Sequence, residues 1–183
     1  MDEKRATSMG RYLCRILRHE PEIIGIEIEK YGAWANISEL IKGVNAHGKF
    51  KLDRELLEQI VREDNKQRYK ISDDGKKIRA SQGHSIDVII EMDKKEPPEI
   101  LYHGTAWRNV DSIMKDGINS GERLYVHLSK DEPTAVTVGQ RHGKPVILKI
   151  KSGDMYRQGH IFYLSENNIW LTKFIPKEFI SVN

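Results

Sequence analysis

Between Ser8 and His19 the apolar side chains fall at Met9, Tyr12, Leu13, Ile16 and Leu17, the spacing of one buried helical stripe. Arg11, Arg15 and Arg18 share a different face of that helix. Pro21 cannot sit comfortably in a continuing helix, so Arg18 and His19 are expected in its last turn. Gly32-Ala33-Trp34-Ala35 reads as a short strand or turn with a buried aromatic. Asn36-Ile37-Ser38-Glu39 has the pattern of a helix N-terminus leading into Leu40 and Ile41. Leu52 or Asp53 opens a third helix with Leu56, Leu57, Ile60 and Val61 inward. The period then changes from helical to alternating. Lys66 to Ile71 alternates polar with apolar, Asp73-Asp74-Gly75 supplies a turn, and Lys76 to Ala80 returns, which predicts a hairpin. One face of it would carry Lys66, Arg68, Lys70, Lys77 and Arg79, a pattern shared by nucleic-acid surfaces and by solvated edge strands. Gln82-Gly83-His84-Ser85 follows without periodicity.

Lys94-Lys95-Glu96-Pro97-Pro98-Glu99 has the composition of a stiff polar spacer. After it, Ile100 to Tyr102 is expected to be a strand, with His103-Gly104-Thr105 the turn at its end. A helix is predicted from Asn109 to Lys115, closed by Gly117, then a strand over Tyr125 to Ser129. Pro133 suits the first turn of a helix through Val136 and Val138. Gly139 to Pro145 reads as a basic loop, followed by strands at Val146–Ile150, Ile161–Leu164, Ile169–Thr172 and Phe179–Val182. The expected class is α+β in two lobes. Residues 1–92 form a winged-helix-like lobe, and residues 93–183 form a mixed α/β lobe of short strands.

Composition narrows the chemistry. A chain of 183 residues, 38% hydrophobic and 31% charged, suits a soluble globular protein with one core or two small ones. A formal charge of +3 means that any nucleic-acid surface must come from placement of cations. Cys14 stands alone, which excludes an internal disulfide and a four-cysteine zinc site and suggests a buried structural thiol. Met1-Asp2-Glu3-Lys4-Arg5 lacks the apolar run of a signal peptide, and no apolar stretch has membrane-spanning length, so a cytoplasmic protein is expected. The phosphate-loop lysine motif, the dinucleotide glycine fingerprint and the serine elbow are all missing. His103 and His127 have no second ligand at zinc spacing, so no metal is expected. What the chain does offer is Arg groups, which hold phosphates by bidentate hydrogen bonds, together with two strand histidines and Gly-flanked loops.

Six motifs in order carry a resemblance. They are Leu17-Arg18-His19-Glu20-Pro21, Lys66-Gln67-Arg68-Tyr69, Ile78-Arg79-Ala80-Ser81-Gln82-Gly83-His84-Ser85, Leu101-Tyr102-His103-Gly104-Thr105, Val126-His127-Leu128-Ser129 and Gly139-Gln140-Arg141-His142-Gly143-Lys144-Pro145. Together they closely resemble the NAD-dependent RNA 2′-phosphotransferase family, KptA type, over nearly the whole chain. The resemblance implies a winged-helix-like RNA lobe and an ADP-ribosyltransferase-like lobe that binds NAD. It implies a monomeric enzyme that removes an internal RNA 2′-phosphate, as left in spliced tRNA, and makes ADP-ribose 1″,2″-cyclic phosphate and nicotinamide. The family's catalytic set falls on Arg18, His19, Arg68 and Arg141. His103, Gly104, Thr105, His127 and Ser129 would contact NAD, while Lys66, Arg79, Gln82, His84 and Ser85 would face RNA or lie between the lobes.

The chemistry suits those residue types. A phosphomonoester with a second pKa of about 6 is mostly dianionic at neutral pH and needs positioning more than a base. The ribose hydroxyl that attacks second is neutral, and His19 is the candidate base for it. Relatives that modify protein side chains carry a catalytic Glu on a late strand. Here Ile169-Trp170-Leu171 is apolar, with Glu166 and Glu178 nearby. Two other functions fit parts of the chain, an ADP-ribosyltransferase acting on nucleic-acid ends or small molecules and a non-enzymatic winged-helix binder.

Overall fold

The helical stripe read from Met9 to Leu17 does become the buried face of a long first helix, α1 (Glu3–Arg18). In the computed structural model, which describes residues 3–90 and 92–182, the chain divides into two units, Met1–Glu91 and Met92–Asn183. Met1 and Asp2 of the charged N-terminal stretch lie outside the described residues.

In the first unit α1 ends before a single 3-10 turn at Pro21–Ile24, as the proline requires. A two-residue strand β1 (Ala35–Asn36) precedes α2 (Ile37–His47) and α3 (Arg54–Arg62). The side chain of Asn36 accepts from the N–H groups of Ser38 and Glu39, and Asp53 accepts from Leu56 N–H, so each helix starts on a side-chain cap. The hairpin is β2 (Tyr69–Ile71) and β3 (Lys77–Ala80), in register Lys70 opposite Arg79 and Ile71 opposite Ile78. β1 adds to β3 to give an antiparallel sheet in the order β1-β3-β2. Met9, Leu13, Ile16 and Leu17 pack with Leu40, Leu57, Tyr69 and Ile78 in one apolar core. Cys14 is half-buried, its Sγ 3.1 Å from the Tyr69 hydroxyl, in keeping with a structural thiol. Trp34 differs from expectation. It is only partly covered, and the Arg79 guanidinium stacks over its ring, 4.6 Å from the ring centre.

The second unit holds β4 (Leu101–Ala106), α4 (Val110–Asp116), β5 (Ile118–Asn119), β6 (Val126–Leu128), α5 (Glu132–Gly139), β7 (Pro145–Ile150) and α6 (Ser152–Arg157). Short strands β8 (Tyr163–Leu164), β9 (Trp170–Thr172), β10 (Phe174–Ile175) and β11 (Ile180–Val182) complete it. Two antiparallel three-stranded sheets, β11-β7-β4 and β6-β9-β8, enclose Leu101, Leu128, Leu148, Ile150, Phe162 and Trp170. A bridge links them, in which Tyr102 N–H donates to Ser129 O at 2.9 Å and Ser129 N–H donates to Tyr102 O at 2.8 Å. Among the described residues no helix is long and apolar enough to cross a membrane.

Two expectations are corrected. His103-Gly104-Thr105 is not a turn, because β4 continues to Ala106 and the three residues pair with Leu148, Ile147 and Val146 of β7. A strand glycine also marks close backbone approach, and that is its use here. A Cβ on Gly104 would lie 1.8 Å from the Ala135 carbonyl oxygen, so only glycine lets α5 rest on the strand. Nor is the Lys94–Glu99 stretch a free spacer. Lys95 N–H donates to Phe162 O, Pro98 O accepts from the Ser152 hydroxyl at 2.6 Å, and Glu99 pairs with Arg157 at 2.7 Å. Its charge and prolines therefore fasten it to the second unit.

Candidate functional site

In the first unit the end of α1, the end of the hairpin and the loop after it supply a cationic cluster of Arg18, His19 and Arg79 around His84. Pro21 stops α1 at the point where Arg18 and His19 leave it. Gln82-Gly83-His84-Ser85 then folds onto that helix end, with Ser85 N–H donating to Arg18 O at 3.0 Å. Gly83 has φ +89 and faces Arg18, whose Nη1 would be 3.5 Å from an added Cβ. Here glycine allows both the left-handed backbone and close approach to the guanidinium. The His19 ring is placed by Ser85, Nδ1 lying 2.8 Å from Oγ. If the serine accepts there, Nδ1 carries the proton and Nε2 keeps the basic lone pair.

Buried polar atoms of this cluster lack partners among the described residues. They include Nε and Nη2 of Arg18, which form one edge of the guanidinium, and both ring nitrogens of His84. His84 is 1% exposed, and burial lowers its pKa to about 4, helped by the charges of Arg18, His19 and Arg79. It is a neutral imidazole next to cations. Buried donors without partners are costly, so an edge of this kind is suited to an anion that accepts from both nitrogens.

The hairpin cations are less uniform than the alternating pattern suggests. Lys70, Lys77 and Arg79 share one face by register, and Lys66 is exposed ahead of it. Lys77 is ion-paired with Glu29 at 2.6 Å, while Arg79 stacks on Trp34 and donates to Gly32 O. Arg68 precedes β2 and is held by Asp64, whose Oδ1 lies 2.9 Å from Nε and 2.6 Å from Nη2. Asp64 was not singled out from the sequence, and Trp34 was read only as a buried aromatic. The only signal was spacing, Asp64 lying four residues before Arg68.

In the second unit His103, Gly104 and Thr105 on β4 lie beside His127 on β6 and Ser129, where the bridge joins the two sheets. His103 Nδ1 is 3.0 Å from the His127 carbonyl oxygen. A carbonyl only accepts, so Nδ1 donates to it and the orientation of the ring is set. The Thr105 hydroxyl accepts from the Asn109 amide at 3.2 Å, a partner the sequence reading passed over. Thr105 and Ser129 are buried. Arg141 is exposed on a 3-10 turn, Gln140–His142, after α5. The late strand β9 presents buried Trp170, Leu171 and Thr172 rather than a carboxylate. Among the described residues no group of three or more His, Cys, Asp and Glu is arranged to hold a metal ion.

A family model described as RNA 2′-phosphotransferase, Tpt1 / KptA family, matches residues 4–174. A probable RNA 2′-phosphotransferase of Pectobacterium carotovorum is 49% identical over 181 residues, 98% of this chain and 96% of that protein. One from Flavobacterium johnsoniae is 48% identical over 180 residues, 98% of each. One from Fusobacterium nucleatum is 49% identical over 173 residues, 94% of this chain and 96% of that protein.

Proposed function

Since the chain belongs to the RNA 2′-phosphotransferase, Tpt1 / KptA family, we propose that it removes an internal 2′-phosphate from RNA by transferring it to NAD. The observation that carries the reading is the Arg18 edge, two buried guanidinium nitrogens without partners among the described residues, beside a neutral buried His84. That edge suits two oxygens of one phosphate. Arg68, with its charge fixed beside Asp64, and Arg141 complete the set by family resemblance.

A dianionic 2′-phosphate on RNA attacks the anomeric carbon of the nicotinamide ribose and expels nicotinamide. No proton has to leave the nucleophile, so the work of Arg18 and Arg68 is to hold and orient it. The ribose 2″-hydroxyl then attacks phosphorus, and the RNA 2′-oxygen leaves, taking up a proton in exchange for the one the attacking hydroxyl gives to the base. His19 takes the hydroxyl proton at Nε2, with Ser85 keeping the ring in that tautomer. The guanidiniums stabilise charge on the phosphoryl oxygens, which leaves a small role for a metal ion. The products are RNA with a 2′-hydroxyl, nicotinamide and ADP-ribose 1″,2″-cyclic phosphate.

NAD supplies the electrophilic carbon and its leaving group. His103 and Thr105 on β4 and Ser129 offer the hydroxyl- and imidazole-type partners a dinucleotide needs, and Gly104 lets α5 close over the strand. Two sheets meeting at a bridge support an ADP-ribosyltransferase-like reading of the second unit, and helices with an antiparallel hairpin support a winged-helix-like reading of the first. The test is nicotinamide release from NAD with matched oligoribonucleotides, one bearing a 2′-phosphate and one a 2′-hydroxyl. Release with the first alone is expected. Equal release with both, or modification of RNA ends, would replace this reading with end-directed ADP-ribosyl transfer.

A further inference from the structure

We infer that Asp64 is a positioning residue for the reaction, acting through Arg68 by occupying one edge of its guanidinium so that only the other edge meets the phosphate. The inference rests on the reading of Arg68 as a phosphate ligand. Asp64 lies two residues beyond the end of α3, and its side chain is 3% exposed against 31% for Arg68. Oδ1 accepts from Nε at 2.9 Å and Nη2 at 2.6 Å, and Oδ2 accepts from Nε at 3.1 Å. The same carboxylate accepts from the backbone N–H of Arg68 at 2.6 Å and of Lys66 at 3.4 Å.

One buried group thus fixes both the backbone and the side chain of Arg68. Gln67, between the two, is held at φ 45, a left-handed conformation that a non-glycine residue adopts only under constraint. Its N–H donates to Asp64 O at 2.8 Å, and its own carbonyl accepts from the Ser81 hydroxyl at 2.8 Å. Ser81 N–H in turn donates to Arg68 O at 2.8 Å. Burial alone would raise the carboxyl pKa of Asp64, but hydrogen bonds from the Arg68 side chain and backbone outweigh it and lower it, so the group stays ionised.

The chemical consequence is a division between the two arginines. Among the described residues the Nε–Nη2 edge of Arg18 has no partner, whereas in Arg68 that same edge is taken by Asp64. Arg68 can therefore offer a phosphate only its end-on Nη1–Nη2 edge. A fork locked in advance loses little freedom on binding, and a displaced one costs turnover.

The test is a double-mutant cycle on kcat/KM with NAD and a 2′-phosphorylated oligoribonucleotide, using Asp64→Asn, Arg68→Ala and the pair. Asparagine keeps the shape and one acceptor but loses the charge and half of the fork. A fall of about 100-fold is expected for Asp64→Asn, mostly in kcat. The pair should be no worse than Arg68→Ala alone. The Nε–H resonance of Arg68, assigned by its loss in Arg68→Lys, should shift and exchange faster in Asp64→Asn whatever the activity. Should Asp64→Asn lose its cooperative melt, the cycle is run with Asp64→Glu, which keeps the charge and should recover part of the turnover. Turnover of Asp64→Asn within twofold of the parent, or a loss that adds in full to that of Arg68→Ala, overturns the inference. Wild-type turnover in Arg68→Ala would instead remove the phosphate-ligand reading beneath it.

Discussion

Arg18 and His84 show what single residues contribute here. Both are placed where an ordinary folded core would not leave them, with buried nitrogens lacking partners among the described residues. If a phosphate fills that place, Arg18→Ala should lower turnover by at least about 100-fold, the scale of losing one preorganised charge-stabilising donor. Its melting temperature should change little, since no buried partner is stranded. Circular dichroism melts with steady-state rates check both parts. His84 makes a separate prediction about pH. Its folded pKa is about 4 against about 6.5 unfolded, so between those values the unfolded chain holds the extra proton. Stability therefore falls as pH drops below about 6.5 and the loss levels off below about 4. Its share at pH 5 is about 2 kcal/mol. Denaturant unfolding of the parent and His84→Leu at pH 7 and pH 5 should show a smaller pH difference in the variant by that amount. His19 is tested by timing. Its loss should slow the second step, so that ADP-ribosylated RNA accumulates in single-turnover gels of His19→Ala. An equal fall in nicotinamide release, with no such species, would move His19 to binding or the first step.

At the scale of elements, β4 and α5 carry the clearest lesson. His103-Gly104-Thr105 was recognisable in the sequence as a place of interest, but its glycine suggested a turn. The structure uses that glycine inside a strand, because α5 lies too near for any Cβ. Strand continuation depends on pairing with β7, more than forty residues away in the chain, and local pattern carries no trace of it. Gly104→Ala should therefore cost about 2–4 kcal/mol through overpacking and weaken NAD binding along with it. A thermal shift with and without NAD would show both. Elements with strong periodicity were legible, among them α1, α3 and the hairpin, and so was the cap at Asn36, whereas the start of α3 was placed at Leu52 or Asp53 without its cap. Two-residue strands such as β1, β5 and β10 were not, since two residues show no period.

For the whole molecule, the boundary region shows how composition can mislead. A run of charges and prolines near residue 95 looks like a linker, yet Lys95, Pro98 and Glu99 make specific contacts within the second unit. The candidate residues were legible largely through motif order along the chain. Their partners, Asp64, Trp34 and Asn109, were hidden because a hydrogen-bond partner or stacking surface is defined in space rather than by residue type. A reaction served by arginines should run in excess chelator at an unchanged rate, and restoration by one divalent ion after chelation would count against it. The most direct measurement follows the products themselves. The protein is incubated with an oligoribonucleotide bearing one internal 2′-phosphate, with and without NAD, and RNA, nicotinamide and nucleotide products are separated and counted. The expected result is conversion to 2′-hydroxyl RNA only with NAD, with one nicotinamide and one ADP-ribose cyclic phosphate for each phosphate removed. Release of inorganic phosphate, or loss of the 2′-phosphate without NAD, would contradict it.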